Sequence, residues 1–237
     1  MENFLNIFLL GDVPSDLVSF SFFIGTMAMM AASVFFFLSL DAGGGKWRTS
    51  MLTAGLITFI AAVHYYYMRD ANVAGADTTF FRYVDWILTV PLMCVEFYLI
   101  LAKAGATKKL MWNLIFASTV MLVCGYIGET GDNPVLWGTA SGLAYFWVAY
   151  TVWLGEAKGL AENAGGAVLE AHNALCWFVL VGWSIYPIGY MIGTDGWYDF
   201  VDVIPLDMDV VYNIGDAINK IGFGPVSYTH LTLPTKA

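Results

Sequence analysis

Two apolar stretches of the chain carry the residues best suited to chemistry. In VVYNIGDAINKIGFG, Asp216 and Lys220 stand at i and i+4, so a carboxylate and an amine share one helix face about one turn apart. Lys220 falls near the middle of this stretch, where an unpaired ammonium in hydrocarbon costs a few kcal/mol and is driven toward pairing or neutrality. A neutral amine is the nucleophile that condenses with an aldehyde to a Schiff base. Two readings follow for Lys220: the attachment point of a carbonyl ligand, or half of a structural ion pair with Asp216.

The second stretch is FFRYVDWILTVPLMCVEFYLILAK. At about 100° per residue, Arg82, Asp85, Thr89, Met93 and Glu96 fall within an arc of roughly 80°. Asp85 and Glu96 are separated along that face by about 16 Å at ~1.5 Å per residue. That distance is too long for two carboxyls to act on one bond, and it suits two stations on a proton path. Aromatic residues could enclose a ligand between these stretches: Trp86 beside Asp85, and Trp183, Tyr186 and Tyr190 with Pro187 in GWSIYPIGY. The spacing of three and four residues puts Trp183, Tyr186 and Tyr190 on one stripe, which also serves plain packing. Pro187 is expected to kink its helix.

The elements that must hold these residues are membrane helices. Of 237 residues, 59% are hydrophobic and 12% charged, and the mean hydropathy is +0.67. A soluble domain carries about twice that share of charge. The net charge of -9 arises from scattered acids rather than an acidic run, so it names no partner, and nothing points to nucleic acid. Segments of roughly 20 apolar residues, the length that spans a bilayer, recur near 16–40, 48–68, 79–103, 108–128, 134–155, 168–192 and 208–227. The fold class expected is all-α, an integral membrane bundle of seven transmembrane helices. Residues 1–227 form one domain, and the polar tail 228–237 is read as disordered or as a cloning scar. The N-terminal run MENFLNIFLLGDVPSD lacks a basic region and is read as a short interfacial segment rather than a signal peptide.

Lys46, Arg48, Lys103, Lys108, Lys109 and Lys158 lie in connections after the odd-numbered spans; Arg69 alone follows an even one, with Arg82 just inside the third span. Basic residues stay on the cytoplasmic side, which puts the N-terminus outside and the C-terminus in the cytoplasm. Cys94, Cys124 and Cys176 sit in apolar segments without metal-ligand spacing and are read as small buried hydrophobes, with no metal site.

With RYVDWILTVPLMCVEFYLIL, WSIYP and DAINK all present, the chain resembles the microbial rhodopsins, specifically the proteorhodopsin family, over essentially all seven spans. The resemblance implies all-trans retinal bound to Lys220 as a protonated Schiff base, with Asp85 and Asp216 as counterions. It implies Asp85 as proton acceptor and Glu96 as cytoplasmic donor in a light-driven outward proton pump, not an enzyme. The Asp85, Thr89, Glu96 triplet matches the proton-pumping pattern. His64 matches a histidine that pairs with the acceptor, and Arg82 would stabilise the carboxylates and steer proton release. Met93 matches a position where a nonpolar side chain accompanies green absorption. Gly138 has two readings: helix packing, or an opening for a carotenoid antenna. The family further implies a pentamer or hexamer in the inner membrane of a bacterium. The rival functions are a photosensory rhodopsin signalling to a partner, against which Glu96 speaks, and a retinal-free transporter in which Lys220 and Asp216 are only an ion pair.

Overall fold

The structure is a computed structural model that describes residues 16–194 and 207–226. The helices are α1 Leu17–Leu38, α2 Arg48–Val73, α3 Thr79–Leu101, α4 Lys108–Thr130, α5 Pro134–Trp153, α6 Glu156–Ala164, α7 Gly166–Trp177, α8 Ile185–Ile192 and α9 Met208–Val226. The expected interfacial segment before Asp16 and the expected tail at 228–237 lie outside the described residues.

Among the described residues, five stretches are long and apolar enough to cross a membrane on composition alone: α1, α2, the α3 region, α4 and the continuous run Gly166–Ile192. The two remaining spans, α5 and α9, are less apolar for different reasons. Helix α5 is rich in Gly, Ser, Thr, Trp and Tyr, whereas α9 holds Asp209, Asp216 and Lys220. These charges are turned inward. The molecule is inside-out relative to a soluble bundle: Arg82, Asp85, Glu96, Asp216 and Lys220 are all buried, while Phe116, Leu143, Phe146 and Trp147 are exposed. Only a bilayer satisfies such a surface, because a helix keeps its backbone bonds internal and can present apolar side chains to lipid. The protein is therefore an integral membrane protein whose described helices form seven spans, the sixth made of α7 and α8.

Local signals set the ends. The Asp16 carboxylate accepts from Ser19 N–H at 2.7 Å and caps α1, Thr107 caps α4, and Pro134 occupies the first turn of α5, where its missing N–H costs nothing. Two elements depart from the sequence reading. The connection expected after 155 contains a helix of its own, α6, which buries Ala157 and Ala161 and ends at Gly165 with φ 63°. The sixth span is interrupted before Pro187 rather than bent at it: α7 passes through a π turn, Phe178–Gly182, and α8 starts afresh at Ile185. The ring of Pro187 clashes with the carbonyl four residues earlier and offers it no donor. That carbonyl, on Trp183, takes the Tyr186 N–H instead, at 3.2 Å.

Neighbouring spans α1 to α5 pack in sequence order, and α9 closes the bundle against α1, α2 and the whole sixth span. Helix α3 packs on α2, α4 and α7, which leaves its Asp85 face directed to the interior that α9 faces from the other side.

Candidate functional site

The two apolar stretches of the sequence meet at Lys220. Its Nζ lies 2.8 Å from Asp85 Oδ2 and 2.7 Å from Asp216 Oδ2, and all three side chains are at most 2% exposed. Helix α9 supplies the amine and one carboxylate from a single face, as the i, i+4 spacing requires, and α3 supplies the other.

The two carboxylates differ sharply in support. Asp216 accepts from Tyr65 Oη at 2.7 Å, from Tyr186 Oη at 2.7 Å, and from Trp86 Nε1 at 3.1 Å to each oxygen. Asp85, apart from the ion pair with Lys220, receives no hydrogen bond among the described residues. Thr89 Oγ1 donates to the Asp85 backbone carbonyl at 2.9 Å rather than to the carboxylate. Hydrogen bonds to the charged form of an acid stabilise it, and Asp216 has three such donors where Asp85 has none.

Arg82 makes no hydrogen bond to this pair among the described residues. Its guanidinium binds Asp209 Oδ1 at 2.6 Å and Asn213 Oδ1 at 3.2 Å, and it lies over the rings of Tyr212 and Phe22. Asn213 in turn donates to Ser21 Oγ at 2.8 Å. His64 places Nδ1 2.9 Å from the Ile60 carbonyl of its own helix, and no hydrogen bond joins it to Asp85 among the described residues. Glu96 is buried, on the same face of α3 as Asp85, next to an apolar cluster that includes Phe97 and Ile100.

Beside the charged centre lies a cavity of about 630 Å³ whose wall includes Trp86, Trp183, Tyr186, Pro187, Tyr190 and Gly138. Its inner end meets the centre directly, since Trp86 and Tyr186 both donate to Asp216. Its outer end passes between α5 and the sixth span, where Leu143, Phe146 and Ile188 are exposed. Tyr190 lines it and donates to the Pro134 carbonyl at 2.7 Å. Met93 and Lys220 are not on the wall; Met93 is packed in the same apolar cluster as Trp86 and Trp183. A volume of this size, walled by aromatic and aliphatic groups and separated from the buried amine's carboxylate partner by Trp86 and Tyr186, fits an elongated apolar ligand.

Sequence reasoning missed Tyr65, Asp209, Asn213 and Asn219. Tyr65 follows His64 in a run of three tyrosines whose members periodicity alone does not rank. Asp209 lies two turns before Asp216 on α9, a spacing that could have marked it as the partner of Arg82.

A family model described as bacteriorhodopsin-like protein matches residues 16–232. The blue-light absorbing proteorhodopsin of Gamma-proteobacterium Hot 75m4 is 43% identical over 222 residues, covering 90% of this chain and 86% of that one. The green-light absorbing proteorhodopsin of Gamma-proteobacterium EBAC31A08 is 42% identical over 221 residues with the same coverage of both. Among solved structures, that of xanthorhodopsin, titled a light-driven ion pump with dual chromophore, aligns with a TM-score of 0.75 at 29% identity, covering 90% of this chain and 91% of that one.

Proposed function

This chain belongs to the bacteriorhodopsin-like family, and from that premise we propose that it is a light-driven outward proton pump carrying all-trans retinal on Lys220. The observation that carries the reading is the unequal pair of carboxylates around Lys220 Nζ, at 2.8 and 2.7 Å, beside an aromatic cavity whose Trp86 and Tyr186 bind one of them. Trp86, Trp183, Tyr186, Pro187 and Tyr190 would hold the polyene, and Met93, packed behind them, would bias absorption toward green. Retinal supplies the absorption of light and the change of shape that follows it.

The rest of the cycle belongs to side chains of this protein. A proton held at Lys220 Nζ is neutralised in the dark by Asp85 and Asp216 in a low-dielectric interior. When that pairing is disturbed, Asp85 Oδ2 takes the proton, because Asp216 keeps its charge under three donors. The Nε2 of His64 is left to answer to Asp85, its Nδ1 being engaged by Ile60, and Thr89 fixes the backbone that carries the acceptor. Arg82, joined to Asp209, draws the released charge toward the end of the bundle that lies outside in this reading. Glu96, on the opposite side of Asp85 along α3, returns a proton to Lys220 Nζ. Each charge moved works against about 2.3 kcal/mol per 100 mV of membrane potential.

The lysine-rich ends of the connections after the odd-numbered spans set the N-terminus outside and the C-terminus in the cytoplasm of a bacterial inner membrane. Residues 1–227 act as one domain, assembled as a pentamer or hexamer. Gly138, on the cavity wall where it opens between α5 and the sixth span, supports a carotenoid lying alongside as antenna.

Adding all-trans retinal to the purified protein is expected to produce a visible band that Lys220→Ala lacks. Illuminated cells are expected to acidify an unbuffered medium, and a protonophore should abolish the signal. A band that persists in Lys220→Ala would sink the attachment, and acidification indifferent to protonophore would sink the pump.

A further inference from the structure

The π turn of the sixth span leaves backbone carbonyls in need of donors, and the donors are side chains of two other helices. Trp183 N–H reaches back five residues to the Phe178 carbonyl at 2.9 Å, and Tyr186 N–H reaches back three to Trp183 at 3.2 Å. The carbonyls of Val179 and Gly182 thereby lose the amides that an α-helix would give them. Tyr145 of α5 donates to Val179 O at 3.0 Å and Leu180 O at 3.1 Å. From the opposite side, Asn219 Nδ2 of α9 donates to Gly182 O at 3.0 Å.

The same amide also donates to Tyr186 Oη at 3.2 Å, and Tyr186 donates onward to Asp216 Oδ1 at 2.7 Å. Both hydrogens of Nδ2 are thus used. The orientation of the amide is dictated by its partners, since the flipped group would set its oxygen against the Gly182 carbonyl oxygen. The fit is close: a Cβ on residue 182 would collide with Asn219 Oδ1, so a larger residue there would have to displace the amide. Asn219 is 1% exposed, so water does not substitute for these partners from the surface.

We propose that Asn219 is a positioning residue that couples the Asp216 carboxylate to the shape of the sixth span. One amide holds two things: the phenol that serves Asp216, and the carbonyl that the wide turn has set free. If Tyr186 releases Asp216 or turns away, Nδ2 loses one of its acceptors and the hold on Gly182 weakens. If the wide turn tightens to regular helix, Gly182 O regains the Tyr186 N–H as its donor, and Nδ2 is released from the turn. The two arrangements exclude each other, which makes the turn a two-state element biased from the charged centre. The arm that swings on it is α7, which packs against the Glu96-bearing helix α3. The coupling rests on this chain's own contacts, and its use in transport rests on the pump reading above.

The test is a double-mutant cycle of Asn219→Leu with Tyr186→Phe, read in two ways. In retinal-free protein, thermal unfolding should be non-additive: either substitution made second should lower Tm by no more than about half of what it does alone. In retinal-loaded protein, each single variant should move the visible band to shorter wavelength, as Asp216 loses a donor and bears more directly on Lys220. The double variant should move it no further than Tyr186→Phe does. Asn219→Ala, which cannot overpack against Gly182, should repeat both patterns. Additive unfolding in both the Leu and Ala series overturns the coupling, and so do additive band shifts. If the wild-type protein formed no pigment, the pump reading would fail while the unfolding cycle still judged the Asn219 contacts by themselves.

Discussion

The two ends of the bundle on either side of Lys220 are built on opposite plans. Toward Arg82, polar side chains form two clusters of short contacts: Arg82 with Asp209 and Asn213, and Asn213 with Ser21; and Tyr65 and Tyr186 with Asp216. Toward Glu96, the interior is chiefly apolar, formed by residues such as Phe97, Ile100, Leu175 and Phe223. Polar contacts there are local, as where His172 Nε2 meets the Val152 carbonyl at 2.8 Å. A proton can move quickly through a polar half and is held back by an apolar one. In the pump proposed above, this difference would give the path a direction, with easy exit beside Arg82 and controlled entry past Glu96.

Four substitutions sharpen or break that contrast. Asp85→Asn removes the acceptor facing the polar half, and light-driven acidification is expected to fall to background while the visible band survives at longer wavelength. Acidification retained in Asp85→Asn would move the acceptor role to Asp216. Glu96→Gln should slow the last phase of the photocycle by roughly 10²–10⁴-fold, the range for loss of a positioned acid, with the earlier, Asp85-dependent phase unchanged in flash spectroscopy. A late phase of normal speed would mean that the apolar half admits protons without a carboxyl. Tyr65→Phe deletes one donor to the buried Asp216 and should cost about 1–3 kcal/mol in unfolding; no loss of stability would mean that Asp216 is not held by its donors. Asp209→Asn should have the smallest effect. Its side chain is one-third exposed, so about 1 kcal/mol or less is expected, seen as slower proton release to a pH indicator dye. A loss as large as that from Tyr65→Phe would make the Arg82 end as rigid as the centre.

Much of this contrast was legible in the residues themselves. The face of α3 bearing Arg82, Asp85 and Glu96, and the Asp216–Lys220 pair, followed from helical spacing, because charges in an apolar helix have one side on which they can be accommodated. The spans followed from their apolar length. The partners of Asp216 did not, since Tyr65 and Trp86 come from helices whose rotation about their axes is fixed only by packing. Helix α6 was hidden because EAKGLAENA has little apolar content; it is held by Ala157, Ala161 and the Lys158–Glu162 pair at 3.7 Å. The π turn was hidden for a different reason. Hydrogen bonds that reach five residues instead of four leave no mark in composition, and Pro187 marked only the neighbourhood of the break. Arg82, expected to serve the carboxylates beside Lys220, also takes Asp209 as its hydrogen-bonded partner, which spacing on α3 could not reveal.

The gap between α5 and the sixth span, where Leu143, Phe146 and Ile188 border the cavity, faces the membrane and not the aqueous phase. A ligand that enters there is drawn from dissolved lipid-phase material. Its occupancy is then set by mole fraction in the bilayer rather than by concentration in water. Loading should follow the ratio of ligand to lipid, and diluting the vesicles at a fixed ratio should leave the loaded fraction unchanged.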